Sequence, residues 1–89
     1  MIHLKDVQAA LAGGGKQANL HSEKGSYTLR FGEDANTVEV LSPEGEVIDT
    51  FHGNYALENA EDVLNHKNQS GAADFITTLI NDYEAQRWQ

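Results

Sequence analysis

The residues whose types could support chemistry are four histidines, a large set of carboxylates, and a lysine that follows three glycines. His3, His21, His52 and His66 would suit a metal as H-x-H on a strand or as a pair four apart on a helix, and none has either spacing. Gly13-Gly14-Gly15-Lys16 has the flavour of a phosphate loop. However, the first glycine of G-x-x-x-x-G-K-[ST] falls on Ala10, and Gln17 replaces the hydroxyl residue. The segment also follows a helical pattern rather than a strand, so it reads as a helix C-terminus. No cysteine is present, which excludes disulfides, thiol catalysis and cysteine-based zinc sites. There is no G-x-S-x-G elbow. No spacing among the carboxylates singles out an acid–base pair, a chemistry that depends on separation in space. The sequence therefore predicts a non-enzymatic protein with no catalytic residue, no cofactor and no metal; a small hydrolase is the third-ranked reading.

The unusual chemical feature is the stretch GEDANTVEVLSPEGEVID at 32–49. It holds Glu33, Asp34, Glu39, Glu44, Glu46 and Asp49 with no Lys or Arg, and neither Lys nor Arg occurs anywhere in 31–66. The whole chain has 14 acids against 6 bases, a formal net charge of −8. Direct binding to nucleic acid needs clustered Lys and Arg to displace counterions, so it is not expected, and anionic membranes are disfavoured in the same way. A basic protein surface is the electrostatically matched partner. The run falls short of imitating a DNA duplex. A domain of this size is roughly 30 Å across and would need about 18 charges at the duplex spacing. The base-free span supplies nine acids: Glu33, Asp34, Glu39, Glu44, Glu46, Asp49, Glu58, Glu61 and Asp62. Occupying part of a basic groove is within its reach.

The elements that position these residues are legible from periodicity. A single domain spans 1–89. Leu4, Val7 and Leu11 form one apolar stripe and predict a helix over 3–12, ended by the three glycines. Residues 16–25 are polar and read as a loop carrying Lys16, His21 and Lys24. Alternation predicts strands at 26–31, 37–41 and 46–51. Ser42-Pro43-Glu44-Gly45 is a strong hairpin turn, with proline presetting its φ and glycine supplying a positive one. Leu57, Ala60 and Leu64 predict a helix over 55–67, with acids early and His66 and Lys67 late, as the helix dipole prefers. Ser70 caps a last helix whose stripe is Ala72, Phe75, Ile76, Leu79, Ile80 and Tyr83. Trp88 projects away from that stripe and is expected to fold back and pack. The expected fold is α+β: a three-stranded antiparallel meander with one N-terminal and two C-terminal helices (α-β-β-β-α-α), the helices mainly on one face.

Turn and loop chemistry accounts for Glu33, Asp34 and Glu44, and Glu46 begins a strand. Glu39 and Asp49 lack such a local reason. A turn closed by a glycine bulge would pair Val40 with Ile48 and Glu39 with Asp49. A symmetric connection would turn Asp49 toward Val38 and bury its charge, which costs several kcal/mol, so the bulged register is expected. It gives an inner face of Tyr27, Leu29, Phe31, Val38, Val40 and Ile48. It also gives an outer face of Arg30, Glu39, Leu41, Val47, Asp49 and Phe51. Like charges placed opposite each other are destabilising, and acids around an uncovered apolar patch suit a partner. The expected partner-binding residues are Glu39, Asp49, Leu41, Val47, Phe51, Glu33, Asp34 and Glu46. The alternative is that helix 1 or the loop covers the apolar members while Lys16 or Lys24 pairs with Glu39 or Asp49.

A short, acidic, cysteine-free chain with a base-free central span resembles small phage- and mobile-element-encoded inhibitors, anti-CRISPR proteins among them. The resemblance is one of class and carries no family motif. It implies a protein that binds a nucleic-acid-handling complex and blocks its basic groove or a conformational step. A cytoplasmic location is expected from the lack of cysteine, compatible with a reducing cytosol, and of a signal-peptide apolar core in MIHLKDVQAALAGGG. The competing reading is a structural or accessory subunit, or a homodimer formed through the same sheet face or an edge strand.

Overall fold

The computed structural model describes residues 1–13, 15–33, 37–53 and 71–87. In chain order the elements are α1 (Leu4–Ala12), β1 (Gln17–Ser22), β2 (Gly25–Phe31), β3 (Thr37–Leu41), β4 (Val47–His52) and α2 (Ala72–Arg87). The fold is α+β, and among the described residues its antiparallel sheet has four strands in the order β1-β2-β3-β4, not three. The additional strand is β1, in the segment read as a loop. QANLHS alternates Ala18 and Leu20 with Gln17, Asn19 and His21, but over only two apolar residues, one of them small. It is held instead by backbone pairing along its whole length, from Gln17↔Arg30 to Ser22↔Gly25. The helix expected over 55–67 and the packing of Trp88 lie outside the described residues.

The described buried apolar side chains gather into one core. Val7 and Leu11 come from α1, Leu20 from β1, and Tyr27 and Leu29 from β2. Val38 and Val40 come from β3, and Ile76 and Ile80 from α2. Period two on the strands and steps of three to four on the helices bring these side chains to a common side. Ile2 is also buried there. Its backbone N–H donates to Asn81 Oδ1 at 2.9 Å and its carbonyl accepts from Asn81 Nδ2 at 3.2 Å, tying the start of the chain to α2.

The β3–β4 hairpin begins as its sequence dictates. Gly45 has φ of 90° and donates its N–H to the Ser42 carbonyl at 2.9 Å, and Ser42 N–H reaches the Glu46 carbonyl at 2.7 Å. Leu41 then faces Val47. Beyond that pair an irregularity between Val40 and Leu41 accommodates Ile48 as an extra residue on β4. The remaining pairs are Val40↔Asp49, Glu39↔Thr50, Val38↔Phe51 and Thr37↔His52. The expected Val40–Ile48 and Glu39–Asp49 pairs are thus overturned. Two forces favour the slip. It removes the like-charge pair and sets Thr50 against Glu39. It also turns Phe51 to the side of Val38, where its ring meets Phe75 at 5.3 Å between centroids. Burying most of an aromatic side chain gains about 1.5–3 kcal/mol over leaving it in water.

The β1–β2 turn approaches this hairpin closely at Gly25, whose φ is +138° and where an added Cβ would stand 2.9 Å from Pro43 Cβ. Gly25→Ala is therefore expected to destabilise the fold by about 1–3 kcal/mol, read as a lower urea midpoint. Gly45→Ala meets open space and bears backbone strain alone, so its midpoint should fall less.

Candidate interaction surface

The outer side of the sheet is built from cross-strand rows. One runs Gln17–Arg30–Glu39–Thr50, and the next Asn19–Thr28–Leu41–Val47. Thr28 Oγ1 donates to Asn19 Oδ1 at 3.3 Å, and His21 Nδ1 meets Ser26 Oγ at 2.7 Å. Glu39 is paired: Arg30 Nε donates to its carboxylate at 2.8 Å. The base that meets Glu39 is thus Arg30, where the alternative reading offered Lys16 or Lys24 for Glu39 or Asp49. The Arg30–Glu39 bridge is solvent-exposed and worth about 0–1 kcal/mol, so it fixes side-chain positions more than it stabilises the fold.

The remaining expected contact residues are dispersed. Leu41 is buried rather than uncovered, and Phe51 lies on the core side. Val47 is 49% exposed, the only large apolar residue of the described strands left open to this degree. Glu46 precedes it and is exposed. Asp49 is also exposed, and its carboxylate accepts the Thr50 N–H at 2.8 Å. Glu44, in the turn, meets Arg87 Nη1 at 3.2 Å. Glu33 is exposed at the far end of β3, beyond the pairing of Gly32 N–H with the Thr37 carbonyl, so it does not join Glu46. Asp34 lies outside the described residues. What remains at one end of β4 is Glu46 beside the outward Val47; Asp49, opposite Val40, is exposed on the other side of the same strand.

One polar cluster was not anticipated. Glu84, on α2, is 7% exposed. Ser22 Oγ donates to its Oε2 at 2.6 Å and the Tyr27 hydroxyl at 2.9 Å, while the Met1 ammonium lies 3.1 Å from its Oε1. The Met1 ammonium also bonds the Glu23 carboxylate. Burial alone would push the Glu84 carboxyl up. The hydrogen bonds from Ser22, Tyr27 and the ammonium outweigh it and hold the group below its ordinary value of 4.5. The same burial, together with the adjacent carboxylate, pushes the Tyr27 hydroxyl up, so it remains a donor. The sequence did carry a signal: Glu84 continues the step of four through Ile76 and Ile80, an acid in a core position of the helix.

Among the described residues no three His, Asp or Glu side chains gather as a metal site would require. No described helix is long and apolar enough to cross a membrane. No protein-family model matches the chain, and neither a curated protein nor a solved structure matches it.

Proposed function

We propose that this protein is a non-enzymatic binding module that engages a basic protein surface through Glu46, Val47 and Asp49 at the end of β4. The observation that carries the reading is Val47, half exposed beside the exposed Glu46, with the exposed Asp49 two residues further along the same edge strand. Apolar contact flanked by charge is how interfaces combine slow release with steered encounter. The net charge of −8 extends the steering field beyond the contact itself. The reading takes the helices as covering the other side of the sheet, a placement supported by the core that α1 and α2 share with the inward strand residues. The resemblance to small acidic inhibitors supports a partner within a cytoplasmic nucleic-acid-handling complex, inhibited by occupation of its basic groove.

Glu39 is a poor probe of this surface, because reversing it also breaks the bridge to Arg30. Glu46→Lys combined with Asp49→Lys is the better test. Affinity capture from the native or invaded host identifies the partner, and titration of the purified pair measures affinity. The double variant is expected to bind at least about tenfold more weakly and with a flatter salt dependence. Asp82→Lys, an exposed charge reversal on α2, should leave affinity nearly unchanged. Undiminished binding by a folded double variant would remove this surface from consideration. Self-association that strengthens as salt screens the acids would favour the homodimer instead.

A further inference from the structure

We propose that the opposite edge of the sheet, β1, is a second docking site, and that it accepts an extended peptide as an added strand. Among the described residues β1 is an end strand, paired only with β2. Among the described residues, no backbone group of Gln17–Ser22 bonds to backbone outside that ladder. In an antiparallel pair the groups not facing the partner point outward, so a row of N–H and C=O groups is left on the edge. End strands are ordinarily blunted by a charge, a proline or a bulge. β4 has its bulge and Asp49. QANLHS has none of these, and its pairing with β2 is unbroken.

A groove of about 500 Å³ runs beside this edge. Asn19, Leu20 and His21 line one wall, and Ala9 and Ala10 of α1 the other, with Asp6 at its margin. Side chains of consecutive strand residues alternate between faces. Three in a row can therefore line one cavity only where it lies against the strand edge. The alanines leave room that longer side chains would fill. An extended peptide supplies both needs: main-chain groups for the edge and alternate side chains for the groove.

The occupant is a peptide rather than a second copy of β1. The apolar side chains that a second β1 would bring are Leu20, 3% exposed and already committed to its own core, and Ala18, half-buried on the same inward side opposite Leu29. Such a pairing would satisfy the edge and leave the groove empty. The groove selects small aliphatic side chains at alternate positions, and Asp6, the one charged residue lining it, selects a base beside them. This site is independent of the acidic end of β4.

The test uses the full chain and an acetylated, amidated octapeptide of valine alternating with lysine and threonine, followed by amide NMR. Shifts are expected at residues 17–22 and along α1, and not on β4. The same peptide with a central proline should bind at least about tenfold more weakly. Ala9→Trp, at an exposed position, should weaken binding by a similar factor by filling the groove, with the protein's amide dispersion retained. Asp6→Lys, a surface change that leaves the core untouched, should weaken it by a smaller factor. The absence of shifts at millimolar peptide would overturn the proposal. So would shifts confined to β4, affinity indifferent to Ala9→Trp and Asp6→Lys in folded protein, or a concentration-dependent dimer that protects the β1 amides without peptide.

Discussion

Glu84→Ala is expected to lower the melting temperature by roughly 10–25 °C, although the residue lies on no proposed binding surface. The carboxylate accepts from Ser22 at 2.6 Å and Tyr27 at 2.9 Å, so it ties the end of β1 and the start of β2 to α2. Alanine removes the charge-assisted hydrogen bonds from Ser22 and Tyr27, takes one carboxylate from the Met1 ammonium, and strands the hydroxyl of Tyr27, a residue with 0% exposure. Together these changes cost about 2–4 kcal/mol. A domain of this length has a total stability of roughly 5–13 kcal/mol, so the loss is a large fraction of the whole. The pH dependence has a definite sign. The folded state holds the Glu84 carboxyl below its ordinary value of 4.5. Its contribution is therefore fully present above that value and is lost as pH falls through the lowered folded value. Urea midpoints measured from neutral pH downward should show a steeper acid decline in the wild type than in Glu84→Gln, which cannot titrate. Parallel declines would show that Glu84 does not supply this linkage.

The second large effect is Leu29→Ala. Leu29 sits on the interior strand β2, between Ala18 and Val40, with 0% exposure. Truncating a leucine in such a position costs about 2–5 kcal/mol, the spread depending on how far the surroundings collapse. Here collapse is restrained, because paired strands on both sides hold Ala18 and Val40 in place. The urea midpoint should fall sharply with little change in slope. Leu41→Ala provides the contrast. Leu41 is buried on the outer side, outside the core cluster, between Thr28 and the half-exposed Val47. Water can reach the gap it leaves, so the midpoint should fall by a smaller amount. Equal losses at the two sites would contradict the assignment of sides.

What was legible in the sequence followed from strong local patterns. The 3.6-residue stripe placed α1, whose Val7 and Leu11 are buried, and α2, whose Ile76 and Ile80 are. Alternation placed β2 and β3, and Ser42-Pro43-Glu44-Gly45 placed the turn. The misses have physical causes. β1 carries only a short hydrophobic signal, Ala18 and Leu20 in alternation, and much of what holds this edge strand is backbone pairing that leaves no trace in side-chain type. The bulge at Ile48 depends on a tertiary gain, the seating of Phe51 on Phe75, which no local window contains. That one residue moved Phe51 off the expected surface and separated Glu39 from Asp49. Arg30 was already on the expected outer face, and the pairing of β2 with β3 sets it directly opposite Glu39.

The bonds between Ile2 and Asn81 join residues 79 positions apart, whereas the sheet is a meander in which each strand pairs with its neighbour in sequence. Contacts between neighbours in sequence close short loops and can form early, while a contact across the whole chain must wait for the loop entropy to be met by other structure. The seam formed by Ile2, Asn81 and Glu84 is thus a late event in folding and an early one in unfolding. Changes made there act on the rate of opening rather than the rate of assembly. For Glu84→Ala, the stability loss should appear in the unfolding arm of a chevron plot, making this seam a determinant of how long each folded molecule persists.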